Sequence, residues 1–554
     1  MNKKVCSFPI LFALLALLIG TCAVVFPASA QAAPTLTGSI TVSGTVASGY
    51  DAYQIFSANV VDGDNDVKIA TDLAWASDAA RGAALPVLHS AGMPNSQTTA
   101  QEAAEWLNTD SHLTSALSAQ LARSLQSSGA KPVALNAGTT AELPCGYWLI
   151  VADDGAISQN EAGTAPIMAL VGGSAVTVKP KAATPKVSKH VLEDSAVAWQ
   201  KAADATVGDD LYWRLSATVP AGLAAYDTYA VQFVDTMSAG LDPSKVAASV
   251  RVYVAAGADG GFDAVQTGKD GRAGTESAKG WTDITAQCRV SVDGKTFTVR
   301  TGDLIAALGG ADAFTAGARV VAVYNAPLNS ACNHGIAKGN PNEVYLRYPR
   351  SPFADQSGDA GFTRTPSDDA CAYTWDLALT KRGSDGDKPL AGAVLSITDD
   401  RGRTLAADGT WDAEGKATVT TGEDGRVTVS GVDSGKLEVR ELKAPKGYTA
   451  FEGARSVTVK AEGLDVDQVA AAKPKLTITA ESPLRADSAD GSTGSLEASL
   501  INTPTGTPPS ITTGGFMPLT GDMAMYAAAA AAVAGAALIV VALLVKRGGG
   551  SHKE

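Results

Sequence analysis

Leu437-Glu438-Val439-Arg440-Glu441-Leu442-Lys443-Ala444-Pro445-Lys446-Gly447-Tyr448 alternates apolar and polar residues as far as Glu441, then runs into a turn-forming Pro and Gly. Successive side chains of a β-strand point to opposite faces, so Leu437, Val439 and Glu441 share one face. A carboxyl therefore stands in phase with residues that a sheet would bury. Two neighbouring stretches break the rule in the same way. Leu377 and Leu379 are in phase with Lys381, and Leu496, Ala498 and Leu500 are in phase with Asn502. The segment upstream repeats the set: Val187 with Lys189; Val231 and Phe233 with Asp235; Asn342 with Val344, Leu346 and Tyr348.

Any one of these polar residues has an ordinary explanation, a strand end emerging into solvent. A Lys, an acid and an Asn in that order, on an early, a middle and a terminal strand of two successive regions, does not. Burial lowers the pKa of a lysine and raises that of a carboxyl. A neutral amine beside an amide carbon, with a protonated carboxyl polarising the carbonyl, is a nucleophile with its general acid. The expected products are Lys381–Asn502 and Lys189–Asn342 isopeptide bonds, each formed with loss of ammonia. Glu441 and Asp235 are the promoting acids, and Asn340 is the alternative partner for Lys189.

Around these strands the chain reads as mostly β. Residues 182–368 and 369–505 show short alternating runs rich in Val, Thr and Tyr between Gly/Asp/Pro turns, the pattern of β-sandwiches. Residues 31–181 are expected to form a β-rich domain with a helical insertion. Strand-like runs cover Leu36–Val46, Tyr50–Phe56, Gly146–Val151 and Ile167–Val178. Between them, Thr99 and Glu102 make a capping box, and Leu113, Leu117, Leu121 and Leu125 recur every four residues. Asp62, Asp64 and Asp66 begin like a calcium loop, but Val67 stands where Gly is needed and Leu73 where a bidentate Glu is needed, so a solvated loop is expected.

The two ends set the compartment. Residues 1–30 pass from Lys3 and Lys4 through an apolar stretch to small residues, a signal peptide with cleavage expected after Ala30. Thr21 before Cys22 argues against a lipoprotein. At the far end Met523–Val545 is uncharged and long enough to span a bilayer, and Lys546 and Arg547 follow at once. The expected C-terminal layout is a linker and Met517-Pro518-Leu519-Thr520-Gly521 within 506–521, then a transmembrane helix and cytoplasmic tail in 522–554.

That ending resembles the cell-wall sorting signal of Gram-positive surface proteins, L-P-x-T-G, with Met517 in place of Leu. The resemblance extends inward. Leu437–Tyr448 is similar to the pilin E-box, with Glu441, Ala444, Pro445, Gly447 and Tyr448 matching. Lys381 followed by Leu390-Ala-Gly-Ala393 looks like the start of a CnaB-type domain. Val207-Gly-Asp, Tyr229–Leu241 and Asn342–Pro352 look like a CnaA-type domain, although the usual Y-S-N-N-P ending reads Tyr348-Pro-Arg-Ser-Pro352. Val176-Thr-Val-Lys-Pro-Lys181 resembles the pilin motif, with Lys179 in place of Tyr. The family resembled is that of sortase-assembled major pilins. It implies an all-β fold of tandem Ig-like sandwiches and a class C-type sortase that cuts after Thr520. It also implies Lys181 as the acceptor on the next copy, with minor pilins, peptidoglycan and host-surface ligands as further partners. The implied location is the cell wall or pilus of a Gram-positive bacterium.

Composition excludes several other classes. Of 554 residues, 45% are hydrophobic and 18% charged, enough apolar content to build packed cores throughout. The 44 Lys+Arg against 57 Asp+Glu give a charge of −13 with no basic stripe, so nucleic acid is not expected as a partner. Five scattered His offer no metal-ligand spacing, and no cofactor motif or His-backed nucleophile supports an enzyme. Cys145, Cys288, Cys332 and Cys371 remain after signal removal and could form two disulfides of undetermined pairing. The alternative to a shaft subunit is a wall-anchored adhesin or minor pilin that uses the same modules as a stalk.

Overall fold

The computed structural model describes residues 36–506 apart from 45, 110, 159, 164, 181–183, 222 and 258–279. The signal peptide, Lys181, the Met517–Gly521 motif and Met523–Val545 lie outside the described residues. Among the described residues no helix is long and apolar enough to cross a membrane.

Three β modules follow one another. In the first, Thr37–Val42 sits between Thr140–Pro144 and Val176–Val178, and Gly49–Asp62 anchors a second sheet with Lys68–Trp75, Val133–Asn136, Gly146–Ala152 and Ile167–Val171. The first half of Gly49–Asp62 is buried on both faces. Tyr50 and Ala52, beside Trp148 of the same sheet, face the three-stranded sheet through Ile40 and Val42, whereas Tyr53 and Ile55 face three helices through Leu88, Leu121 and Leu125. The helices are Asp78–Ser90, Ala100–Asn108 and Ser115–Ser127. Thr99 and Glu102 form the capping box of the second. The leucine repeat belongs to the third, which begins after its cap Thr114, so Leu113 lies outside it. Asp62 is held by Lys68 and Ser174.

The middle module packs two sheets face to face. One runs in the order Ala198–Gln200, Val187–Glu193, Tyr212–Thr218, Arg319–Asn325, Arg251–Ala255, Thr282–Asp283. The other runs Ala202–Asp204, Asp368–Tyr373, Asn340–Pro349, Gln232–Met237, Thr296–Arg300, Arg289–Asp293. Between them lies an apolar core containing Trp213, Phe233, Phe297, Val320, Val344 and Leu346. Asn340–Pro349 was expected to be the terminal strand, but Phe362–Arg364 and Asp368–Tyr373 follow it and pair with it. The expected 368/369 seam thus falls inside a strand of this sandwich, and the chain passes to the next module at Thr374.

In the last module Trp375–Gly383 lies between Arg426–Val432 and Ser495–Pro504, the latter parallel to it. The facing sheet includes Val394–Thr398, Gly435–Lys443, Ala454–Glu462 and Lys475–Ala480. Trp375, Leu377, Leu379, Val439, Leu496, Ala498 and Leu500 are essentially inaccessible. Each large apolar side chain among them contributes about 1.5–3 kcal/mol by leaving water. Cys145, Cys288, Cys332 and Cys371 are free thiols, so the disulfides that the sequence allowed among them are not formed here.

Candidate functional site

In the last sandwich the period of two places Lys381 at the inner end of Trp375–Gly383 and Glu441 at that of Gly435–Lys443 on the facing sheet. Lys381 is 0% and Asn502 2% exposed. The parallel register sets Lys381 opposite Leu500 and Gly383 opposite Asn502, so Lys381 and Asn502 are diagonal neighbours on one face. Lys381 Nζ donates to Asn502 Oδ1. Asn502 Nδ2 donates to Glu441 Oε1 at 2.9 Å, and Lys381 Nζ lies 3.2 Å from the same oxygen. The second carboxyl oxygen accepts from Phe451 N at 3.2 Å, which fixes its orientation. Burial pulls the Lys381 amine down to about 8, with Glu441 opposing.

The middle sandwich assembles the same three residue types by a different route. Lys189 comes from one sheet, while Asp235 and Asn342 come from adjacent antiparallel strands of the other. All three are 0% exposed. Lys189 Nζ donates to Asp235 Oδ2 and lies 2.8 Å from the Tyr324 hydroxyl. That hydroxyl donates to Asp235 Oδ2 at 2.9 Å and accepts from Asn342 Nδ2 at 2.8 Å. Asn342 Oδ1 has no donor among the described residues. Burial lowers the Lys189 amine to about 8 and raises the Asp235 carboxyl, each opposed by the other's charge. Both shifts favour an uncharged amine beside an uncharged acid.

Asn340 is placed elsewhere. Its Oδ1 accepts from Asn333 N at 2.8 Å, and its Nδ2 donates to Asn333 O and Ala372 O, so its amide closes a loop. The strand reading missed Tyr324. Its signal is the same period: Val320, Ala322 and Tyr324 are in phase on Arg319–Asn325, and the hydroxyl is the polar end of that row. Phe451, which orients Glu441 through its backbone and flanks Lys381 with its ring at 5.9 Å, carried no local signal. Arg350 and Ser351, which replace the usual Asn pair after Tyr348, dock on the first module: Gly163 N donates to Arg350 O at 2.7 Å. Among the described residues no group of His, Cys, Asp and Glu could hold a metal.

Residues 376–473 match the family described as SpaA, prealbumin-like fold domain. The chain is 31% identical over 134 residues to the trypsin-resistant surface T6 protein of Streptococcus pyogenes serotype M6. That match covers 23% of this chain and spans 23% of the curated relative's length. The chain is similar to Gram-positive backbone pilins. Among solved pilins, the T6 backbone pilin of S. pyogenes superposes with a TM-score of 0.46 at 17% identity, covering 86% of this chain and all of that one. The full-length major pilin SpaD of Corynebacterium diphtheriae gives 0.40 at 15%, covering 84% of this chain and 98% of that one. The SpaA-type match lies within the sandwich that carries Lys381 and Glu441, and Asn502 falls beyond it.

Proposed function

We propose that this chain is the structural shaft subunit of a covalent, sortase-polymerised pilus, stiffened by intramolecular Lys–Asn bonds. The observation that carries the reading is the pair of buried Lys–acid–Asn clusters in consecutive sandwiches, in a chain similar to backbone pilins. In each cluster the carboxylate takes a proton from the ammonium, freeing the amine. The amine nitrogen attacks Asn Cγ, the carboxylic acid passes its proton to the departing amide nitrogen, and the carboxylate so formed takes the second proton given up by the lysine nitrogen. A C–N bond to lysine replaces the C–N bond of the amide, and ammonia leaves. At the last cluster one Glu441 oxygen contacts both nitrogens, so a single atom can serve both transfers. At the middle cluster Tyr324 relays between Asp235 and Asn342. This is one self-modification per cluster, not turnover.

Polymerisation follows from the two ends. A class C-type sortase cleaves Met517-Pro518-Leu519-Thr520-Gly521 after Thr520 and passes the acyl group to Lys181 of another copy. The head-to-tail link does not close on itself and gives an open filament. Peptidoglycan terminates the chain, and minor pilins and host-surface ligands share the fibre. Lys181 separates this reading from a stalk-like adhesin, which needs no intermolecular nucleophile. Wall extracts of cells producing the full chain should show high-mass ladders of its antigen. A single wall-bound band would favour the adhesin.

A further inference from the structure

The middle and last sandwiches meet at an acidic seam that neither bond cluster uses. Asp204, 2% exposed, ends the strand Ala202–Asp204. Its Oδ2 crosses to the last sandwich and accepts from Trp375 Nε1 at 2.6 Å, Ser434 N at 3.0 Å and Ser434 Oγ at 2.5 Å. Its Oδ1 has no donor of that kind, and Ser434 N also donates to Asp433 Oδ1 at 2.7 Å, so the Asp433 carboxyl, just past a strand end of the last sandwich, shares a donor with Asp204. Both residues line a cleft of about 290 Å³ between the sandwiches. Backbone contacts lie beside them: Val207 N donates to Gly431 O, and Asp433 N to Thr206 Oγ1.

The surrounding charge leaves the pair uncompensated. Glu193 accepts from Asp204 N and Ser195, and burial with the neighbouring Asp204 pushes it up to about 7. Asp194 pairs with Arg401, Asp209 with Arg401 and Arg403, Asp399 with Arg403, and Asp210 with Lys245. Lys436 also lines the adjoining cleft but pairs with Glu438. Glu193, Asp204 and Asp433 form no ion pair among the described residues. Two carboxyls in contact without a cation cannot both ionise.

We propose that Asp204 and Asp433 share one proton, and that this proton fastens the last sandwich to the middle one. Asp433 is the acid and donates to the Asp204 carboxyl, whose Oδ2 accepts from Trp375 and Ser434. Burial and the negative neighbours hold the Asp433 carboxyl well above its ordinary range, in line with that role. The sign follows. An acid whose folded-state pKa is raised loses its contribution as pH rises towards that pKa, so the junction loosens at high pH and tightens at low pH.

Hydrogen–deuterium exchange on the full chain tests this, read at the Ser434 and Val207 amides and corrected for the intrinsic pH dependence of exchange. Between the ordinary carboxylate range and the pair's titration point protection should fall about tenfold per pH unit, as one proton requires, and level off above it. Asp433→Asn keeps a donor that cannot ionise and should stay protected across the series. Asp433→Ala should be open throughout. Protection of the unsubstituted chain that does not change with pH would overturn the proposal whether or not either variant folds. So would protection that follows added calcium instead of pH, which would assign the orphaned Asp204 oxygen to a metal.

Discussion

Glu441 touches both the Lys381 and the Asn502 nitrogen, whereas a third side chain, Tyr324, stands between Asp235 and Asn342 in the middle cluster, and the two clusters should respond differently to single changes. Glu441→Gln should leave the mature chain one ammonia heavier by intact-mass measurement, because an amide can neither take nor return the proton. Asp235→Asn should do the same for the middle bond. Tyr324→Phe removes the hydroxyl that joins Lys189, Asp235 and Asn342. It should yield a mixture of bonded and unbonded chains in the middle module, with the last module fully bonded. An Asn502→Ala chain keeps Lys381 buried without its partner, and its stability should depend on pH. The folded-state amine, at about 8, lies below its unfolded value of about 10.4, so the cost of burying the ammonium is fully present below about 8. Stability of that chain should rise between about pH 8 and 10.5, by up to about 3 kcal/mol. Denaturant midpoints that are flat over this window would contradict it.

Between strands, the two proposed bonds would close different circuits. In the last sandwich the bond joins neighbouring parallel strands 121 residues apart in sequence. By analogy with disulfides, restricting a loop of that size in the unfolded chain is worth about 4–5 kcal/mol. Glu441→Gln should therefore lower the melting temperature of this module by on the order of 10–20 °C. Under tension, load entering at Trp375 passes from Lys381 to Asn502 and bypasses everything between. In the middle sandwich the bond runs from sheet to sheet, and the chain continues after Asn342 through Phe362–Arg364 and Asp368–Tyr373. Those strands carry load through hydrogen bonds alone. Single-molecule pulling should give no extension step from the last module and one step of at most roughly 100 Å from residues 343–373 of the middle one.

For the whole fibre, the decisive variant is Lys181→Ala. It should give protein that is secreted, folded and wall-attached as single subunits, whereas Lys179→Ala should still form ladders on denaturing gels. Ladders persisting in Lys181→Ala cells would move the acceptor elsewhere and favour the adhesin. In the proposed fibre each link would add the length of the subunit, so the stiffness of the junctions matters as much as that of the modules. Arg123 ties the first module to the middle one through Ala225 O and Pro352 O, and the Asp204–Trp375 contact ties the middle to the last.

The period of two is a local property, and it alone placed Lys381, Glu441, Asn502, Lys189, Asp235 and Asn342 among buried residues. Alternation fixes which face a side chain takes, and a charged or amide residue in phase with Leu and Val stands out in any window of a few residues. Alternation does not state which strands become neighbours. Hence Asn340 and Asn342, both in phase on one strand, could not be separated until a loop was seen to close on the first. Hence also Tyr324 and Phe451, which meet lysines far away in sequence, were missed, and Asp368–Tyr373 was divided from the sheet it completes. The acidic seam belongs to the same class. Nothing near Asp204 at the end of one strand or Asp433 just past another is unusual for a strand end, and only the docking of one sandwich on the other brings the two carboxyls together and removes the water around them.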